Sequence, residues 1–176
     1  VKAQMPPLLS PATARLAAAK ANYARLTLAR FYLAHHFAAE ALGLIDMIQA
    51  SDPSLQGDAQ LATMRAAADY MMARYQDAHN DISGAAFDSD RHAAFWRGLI
   101  DAAMENWTQA HAELQEAGPV LRRYPVEWQA RARRADAEAS LGMGRLELAD
   151  AARQNLPHNL NQRQTLEAEL DRGRIC

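Results

Sequence analysis

The sequence predicts an all-α fold of antiparallel helical hairpins, on three observations. Alanine fills 39 of 176 positions, and alanine is the best helix former because it loses no side-chain entropy on ordering. No segment sustains the apolar/polar alternation that marks a strand. The apolar-periodic segments are short and joined by connections of a few residues, so consecutive helices must fold back on one another.

Taken in chain order, Pro6, Pro7, Ser10 and Pro11 form a start signal, with Ser10 as side-chain cap and Pro11 at the first helical position. A helix is expected from there to about residue 35. A break at His35 and His36 precedes a helix over Phe37 to Ala50, stopped by Ser51, Asp52 and Pro53, because proline cannot continue the ladder. Further helices are expected over Asp58 to Ala73, Tyr75 to Ala85, Arg91 to Met104, Trp107 to Arg123, Val126 to Leu141, Leu146 to Asn155 and Gln162 to Arg172.

A period runs through these segments. Ala29 and Ala41, Ala66 and Ala78, Gly98 and Ala110, and Ala137 and Ala149 are pairs of small residues, each separated by twelve positions. That offset puts one small residue on each arm of a hairpin, where the backbones approach closely. Three positions before the second small residue stand Ala38, Tyr75, Trp107 and Leu146, and four after it Ile45, Ile82, Leu114 and Arg153. Large packing residues therefore flank the small ones in most units.

Through "RYQDA" at 74–78, "NWTQA" at 106–110, "GRLELA" at 144–149, and Tyr32 with Pro53 in the first unit, the chain resembles the tetratricopeptide repeat family over about residues 22–157. It departs from the family in recurring at 37, 32 and 39 residues rather than a constant ~34. Glycine is missing from several turns, and Asp69 and Asp101 stand where a tyrosine is usual. The resemblance implies hairpins stacked as a right-handed α-α superhelix, a single domain over 1–176. Its units would span about 22–55, 58–90, 91–125 and 126–157, with a leading helix in 1–21 and a capping or next-repeat helix in 158–176. It also implies a concave groove lined by the first helix of each hairpin. By position that lining would include Tyr23, Leu26, Arg30, Leu33, Gln60, Thr63, Ala67, Tyr70, Phe95, Leu99, Arg131, Arg134 and Glu138.

Charge and composition narrow the chemistry. A net charge of −2 from 19 basic and 21 acidic residues provides no overall field for a nucleic acid or an anionic membrane. No run reaches the ~18 apolar residues of a membrane helix, and the expectation is a soluble protein, cytoplasmic or periplasmic. The high alanine content and the dominance of Arg over Lys suggest a bacterial source, and the bounds at Val1 and Cys176 read as those of a fragment of a larger protein. The lone Cys176 excludes an intramolecular disulfide and a cysteine-based zinc site.

Arg65 with Asp69 and Arg97 with Asp101 repeat one i,i+4 pair 32 residues apart, read first as an ion-pair ladder between stacked repeats. Arg122, Arg123, Arg131, Arg133 and Arg134, near Tyr124 and Trp128, form the strongest local charge, yet Glu127, Asp136 and Glu138 interleave with it. A solvated face is the reading, with an acidic protein partner ahead of nucleic acid. The six histidines lack chelating helix spacing, and His79 and His111 are expected to be exposed at equivalent repeat positions. Phe95, Trp96, Trp107 and Trp128 read as core. No nucleophile elbow or glycine-rich phosphate loop occurs, so no enzyme activity, cofactor or metal is expected. The expected function is a scaffold or adaptor that binds a protein or peptide partner on its concave surface. The alternative is a ligand-sensing or self-association module of a larger bacterial protein.

Overall fold

The computed structural model describes residues 11–154, which are all-helical, with no strand among the described residues. The helices are α1 (Pro11–Ala34), α2 (Ala38–Ser51), α3 (Ala59–Met71), α4 (Tyr75–Asp81), α5 (Arg91–Ala103), α6 (Trp107–Glu116), α7 (Gly118–Leu121), α8 (Val126–Gly142) and α9 (Leu146–Gln154). Single 3-10 turns at Pro53–Leu55 and Ala85–Phe87 join α2 to α3 and α4 to α5. The expected cap Ser10 and the expected helix over Gln162 to Arg172 lie outside the described residues. No described helix is long and apolar enough to cross a membrane.

Packing is pairwise. α1 lies on α2, α3 on α4, α5 on α6 and α8 on α9, while the first arms also touch in sequence, α1 to α3, α3 to α5 and α5 to α8. The four hairpin turns share one hydrogen-bond pattern. The N–H groups of Phe37, Arg74, Asn106 and Arg145 donate to the carbonyls of Tyr32, Asp69, Asp101 and Ser140 at 2.8–2.9 Å. One residue earlier, His36, Ala73, Glu105 and Gly144 donate to Leu33, Tyr70, Ala102 and Leu141. This is the Schellman arrangement, which satisfies the last carbonyls of the first arm and needs a left-handed residue at its centre. His36, Ala73 and Glu105 hold φ of 62°, 59° and 61°, and only the fourth turn uses glycine, Gly144 at 71°. The glycines absent from the first three turns are thus replaced by strained residues, each costing about 1 kcal/mol.

The small-residue pairs sit at the helix contacts. Ala29, Ala41, Ala66, Ala78, Ala110 and Ala149 have no exposed surface, and Ala137 is also buried. At Gly98 a Cβ would lie 2.6 Å from Leu114 Cγ, so this position of α5 has no room even for a methyl group. The first arms of the second and third hairpins are started by aspartate caps. Asp58 accepts from the Leu61 N–H, and Asp90 from His92 and Ala93.

Two helices end earlier than the sequence suggests. α4 stops at Asp81 rather than Ala85, where Ser83 and the extended Gly84 favour a turn that carries Phe87 into the core. The helix expected over Trp107 to Arg123 breaks at Ala117 and restarts as α7, because Pro119 lacks an N–H and its ring would meet the carbonyl of Gln115.

The core centres on α5, buried continuously from Ala93 to Ala102 because α3, α4, α6 and α8 enclose it. Phe95, Leu99 and Ile100 are the large buried side chains there, joined by Trp96, Trp128 and Leu114. A smaller cluster of Ala29, Ile45, Ile48, Leu61 and Met64 holds α1, α2 and α3 together.

Gly98→Ala is expected to lower stability by about 1–3 kcal/mol through overpacking against Leu114. Ala73→Gly and Glu105→Gly are each expected to raise it by up to about 1 kcal/mol by relieving the left-handed strain. Denaturant unfolding of the three variants checks both signs.

Candidate functional site

The thirteen positions assigned to a groove do not form one strip. Ala67, Phe95 and Leu99 are buried at 2%, 0% and 1% exposure and cannot touch a partner, which corrects that part of the assignment. For Phe95 and Leu99 the reason is the enclosure of α5 by its neighbours, and Ala67 of α3 packs into the same core cluster, tertiary facts that repeat position does not carry. Tyr23, Leu26 and Gln60 meet at one end, around a cavity of about 210 Å³ with Leu55 and Asp58. Arg30 is exposed beside them on α1, Leu33 is half-buried against the core, and Thr63 Oγ1 donates to the Ala59 carbonyl. Arg134 and Glu138 are half-buried on α8.

The remaining pair, Tyr70 and Arg131, belongs to an aromatic patch. Trp96 and Trp128 lie edge to face at 4.9 Å between ring centres, and Tyr70 is 6.0 Å from Trp96 and 6.4 Å from Trp128. The Arg131 guanidinium sits over both rings, 4.9 Å from Trp128 and 6.0 Å from Tyr70, a cation–π geometry. Burial raises the Tyr70 pKa above its ordinary value, with Arg131 opposing the shift, so Tyr70 stays a neutral hydroxyl. His36, from the turn after α1, stacks on Trp128 at 5.7 Å and reaches Glu127 at 3.2 Å. The first hairpin thereby touches the fourth across the intervening two.

Of the arginine-rich segment, Arg122, Arg123 and Arg131 are exposed, but the aromatics beside them are not. Trp128 is buried, and Tyr124 stacks on Phe95 at 4.0 Å and meets His92 Nδ1 through its hydroxyl at 3.0 Å. Burial, then Asp90, raises the Tyr124 pKa.

The i,i+4 ladder is replaced by other partners. Arg65 reaches back to Asp46 and Gln49 of α2 at 2.5 and 2.7 Å, and Asp69 pairs with Arg74 across the hairpin turn. Arg97 makes a two-pronged bond to Glu113 of α6, both distances 2.9 Å, and donates to the Phe87 carbonyl, while Asp101 accepts from Asn106. Helical side chains lean toward the N-terminus, so an arginine that precedes an aspartate by four residues points away from it. The histidines are also more involved than expected. His111 Nδ1 lies 2.7 Å from Asp136, and His79 Nδ1 lies 3.7 Å from Asp101. In both, a second-arm histidine faces an aspartate of the next hairpin. The signal for these links was a recurring histidine with an aspartate 22 or 25 residues later.

Among the described residues no group of three or more His, Cys, Asp or Glu is placed to hold a metal ion. Asp81 is the strongly perturbed carboxylate, raised to about 6 first by burial and then by neighbouring Asp69. Compared with family models, curated proteins and solved structures, the chain matches none.

Because Asp81 is raised, between about pH 4 and pH 6 the folded protein keeps a proton the unfolded chain has released, and ionisation above pH 6 opposes folding. Asp81→Asn is therefore expected to leave the melting temperature near pH 3.5 almost unchanged and to raise it at pH 8. An equal shift at both pH values contradicts the assignment. Arg97→Ala strands Glu113 and the Phe87 carbonyl and is expected to cost about 3 kcal/mol or more, read from denaturant unfolding.

Proposed function

We propose that the chain is a tetratricopeptide-like right-handed superhelix that binds a protein or peptide partner, without catalysis, on the surface carried by the first arms of its hairpins. The observation that carries this reading is the meeting of half-buried Tyr70 from α3 with exposed Arg131 from α8 over the buried Trp96 and Trp128. Tyr and Arg are the residue types that supply a disproportionate share of binding energy at protein interfaces. The four identical hairpin turns and the small residues at the helix contacts support the repeat architecture. Arg30 and Arg131, both exposed, favour a partner with carboxylates that meet them.

Self-association is a second reading, favoured by the exposed apolar side chains of α1, with Leu16 at 58%, Tyr23 at 72% and Phe31 at 53% exposure. α1 carries Arg15, Lys20, Arg25 and Arg30 and no acidic residue. A two-fold contact would set like charges face to face, so a second copy would have to offer a different surface.

The test is an affinity capture from host lysate with the parent chain and an Arg30→Glu, Arg131→Glu double variant of matched melting temperature. A protein retained by the parent and lost by the variant is the expected result. Equal retention by both, together with a mass that rises with concentration in sedimentation, transfers the assignment to self-association.

A further inference from the structure

A cavity of about 420 Å³ opens where α4, α5 and α6 meet, between the second and third hairpins. Its size is within the range of small-molecule sites, about 300–1,000 Å³. It shares no residue with the partner-binding surface, so what it binds is independent of that reading.

The lining is rich in acceptors and poor in free cations. Arg97 is the one arginine in the wall, and its guanidinium is engaged by Glu113 and the Phe87 carbonyl. That pairing also neutralises Glu113. Two carboxylates remain, the exposed Asp88 and Asp101, whose side chain is only 5% exposed. Asn106 donates one hydrogen bond to Asp101, at 3.1 Å. His79 Nδ1, 3.7 Å from Asp101, is buried with no hydrogen-bond partner. A buried polar atom left without a partner costs the full desolvation of that atom; with the His79 proton on Nε2, Nδ1 is an acceptor beside Asp101, and a group that brings N–H donors and positive charge satisfies both.

We propose that the cavity binds a small organic cation through a guanidinium or protonated amine group, held by Asp101 and Asp88. A planar guanidinium presents two parallel N–H groups to one carboxylate, and the remaining donors face His79 Nδ1 and Asp88. The group is either that of a free compound or the tip of an arginine or lysine side chain on a bound polypeptide; the chemistry at the wall is the same.

Isothermal titration of the whole chain with butylguanidine, and with butylurea as the uncharged compound of the same shape, tests this. Saturable binding of butylguanidine is expected, with butylurea at least about tenfold weaker. Asp101→Asn should weaken butylguanidine about tenfold or more, and Asp88→Asn by a smaller factor, both with unchanged melting temperature. If Asp101→Asn does not fold, Asp88→Asn decides. A Gly-Arg-Gly peptide that binds at least as tightly as butylguanidine identifies a polypeptide side chain as the source, and a peptide that binds more weakly identifies a free compound. No saturable heat up to about 10 mM butylguanidine, equal affinity for butylurea, or an affinity unaltered in every folded variant overturns the proposal.

Discussion

Two helices joined by a short turn can lie against each other only where a residue without bulk stands between their axes. In this chain that condition is met four times, at Ala29 with Ala41, Ala66 with Ala78, Gly98 with Ala110, and Ala137 with Ala149, and Gly98 shows how tight it is, since one added carbon would overlap Leu114. The hairpin turns follow from it. With the arms held at that separation, the chain must reverse within one Schellman turn, and His36, Ala73 and Glu105 accept left-handed backbone because packing over-determines the reversal. Local preference alone would put glycine there.

The same constraint distributes charge. Close helices leave little room for ions between the arms of a hairpin, so ionic contacts collect at the turns and between successive hairpins. Asp69 with Arg74 is held at a turn; Arg65 with Asp46 and His111 with Asp136 link one hairpin to the next. Arg97 is the exception, bonding Glu113 of its own hairpin from a buried position, and it is there that the wall of the polar cavity forms.

Helix identity and most helix limits were legible from spacing, because alanine runs and prolines act locally. Two ends were misjudged where a local breaker competed with a good helical pattern, at Ser83 and Gly84 and at Pro119. Side-chain partners were less legible. Arg65 and Arg97 look matched to the aspartates four residues on, but the lean of helical side chains and the position of neighbouring helices send them elsewhere. Among the candidate site residues, Tyr70 and Arg131 do meet, whereas Phe95 and Leu99 lie inside the molecule. Position within a repeat tells which way a residue faces along its own hairpin. It does not tell which helix its neighbours enclose, and here that helix is α5.

The contact of His36 with Trp128 and Glu127 has a mechanical meaning. It ties the first hairpin directly to the fourth, and Tyr70 on Trp128 ties the second hairpin to the fourth in the same way. The described hairpins are thus braced beyond their sequence neighbours, with one indole as the shared anchor. Loss of that ring would loosen three hairpins at once, although it belongs to only one of them.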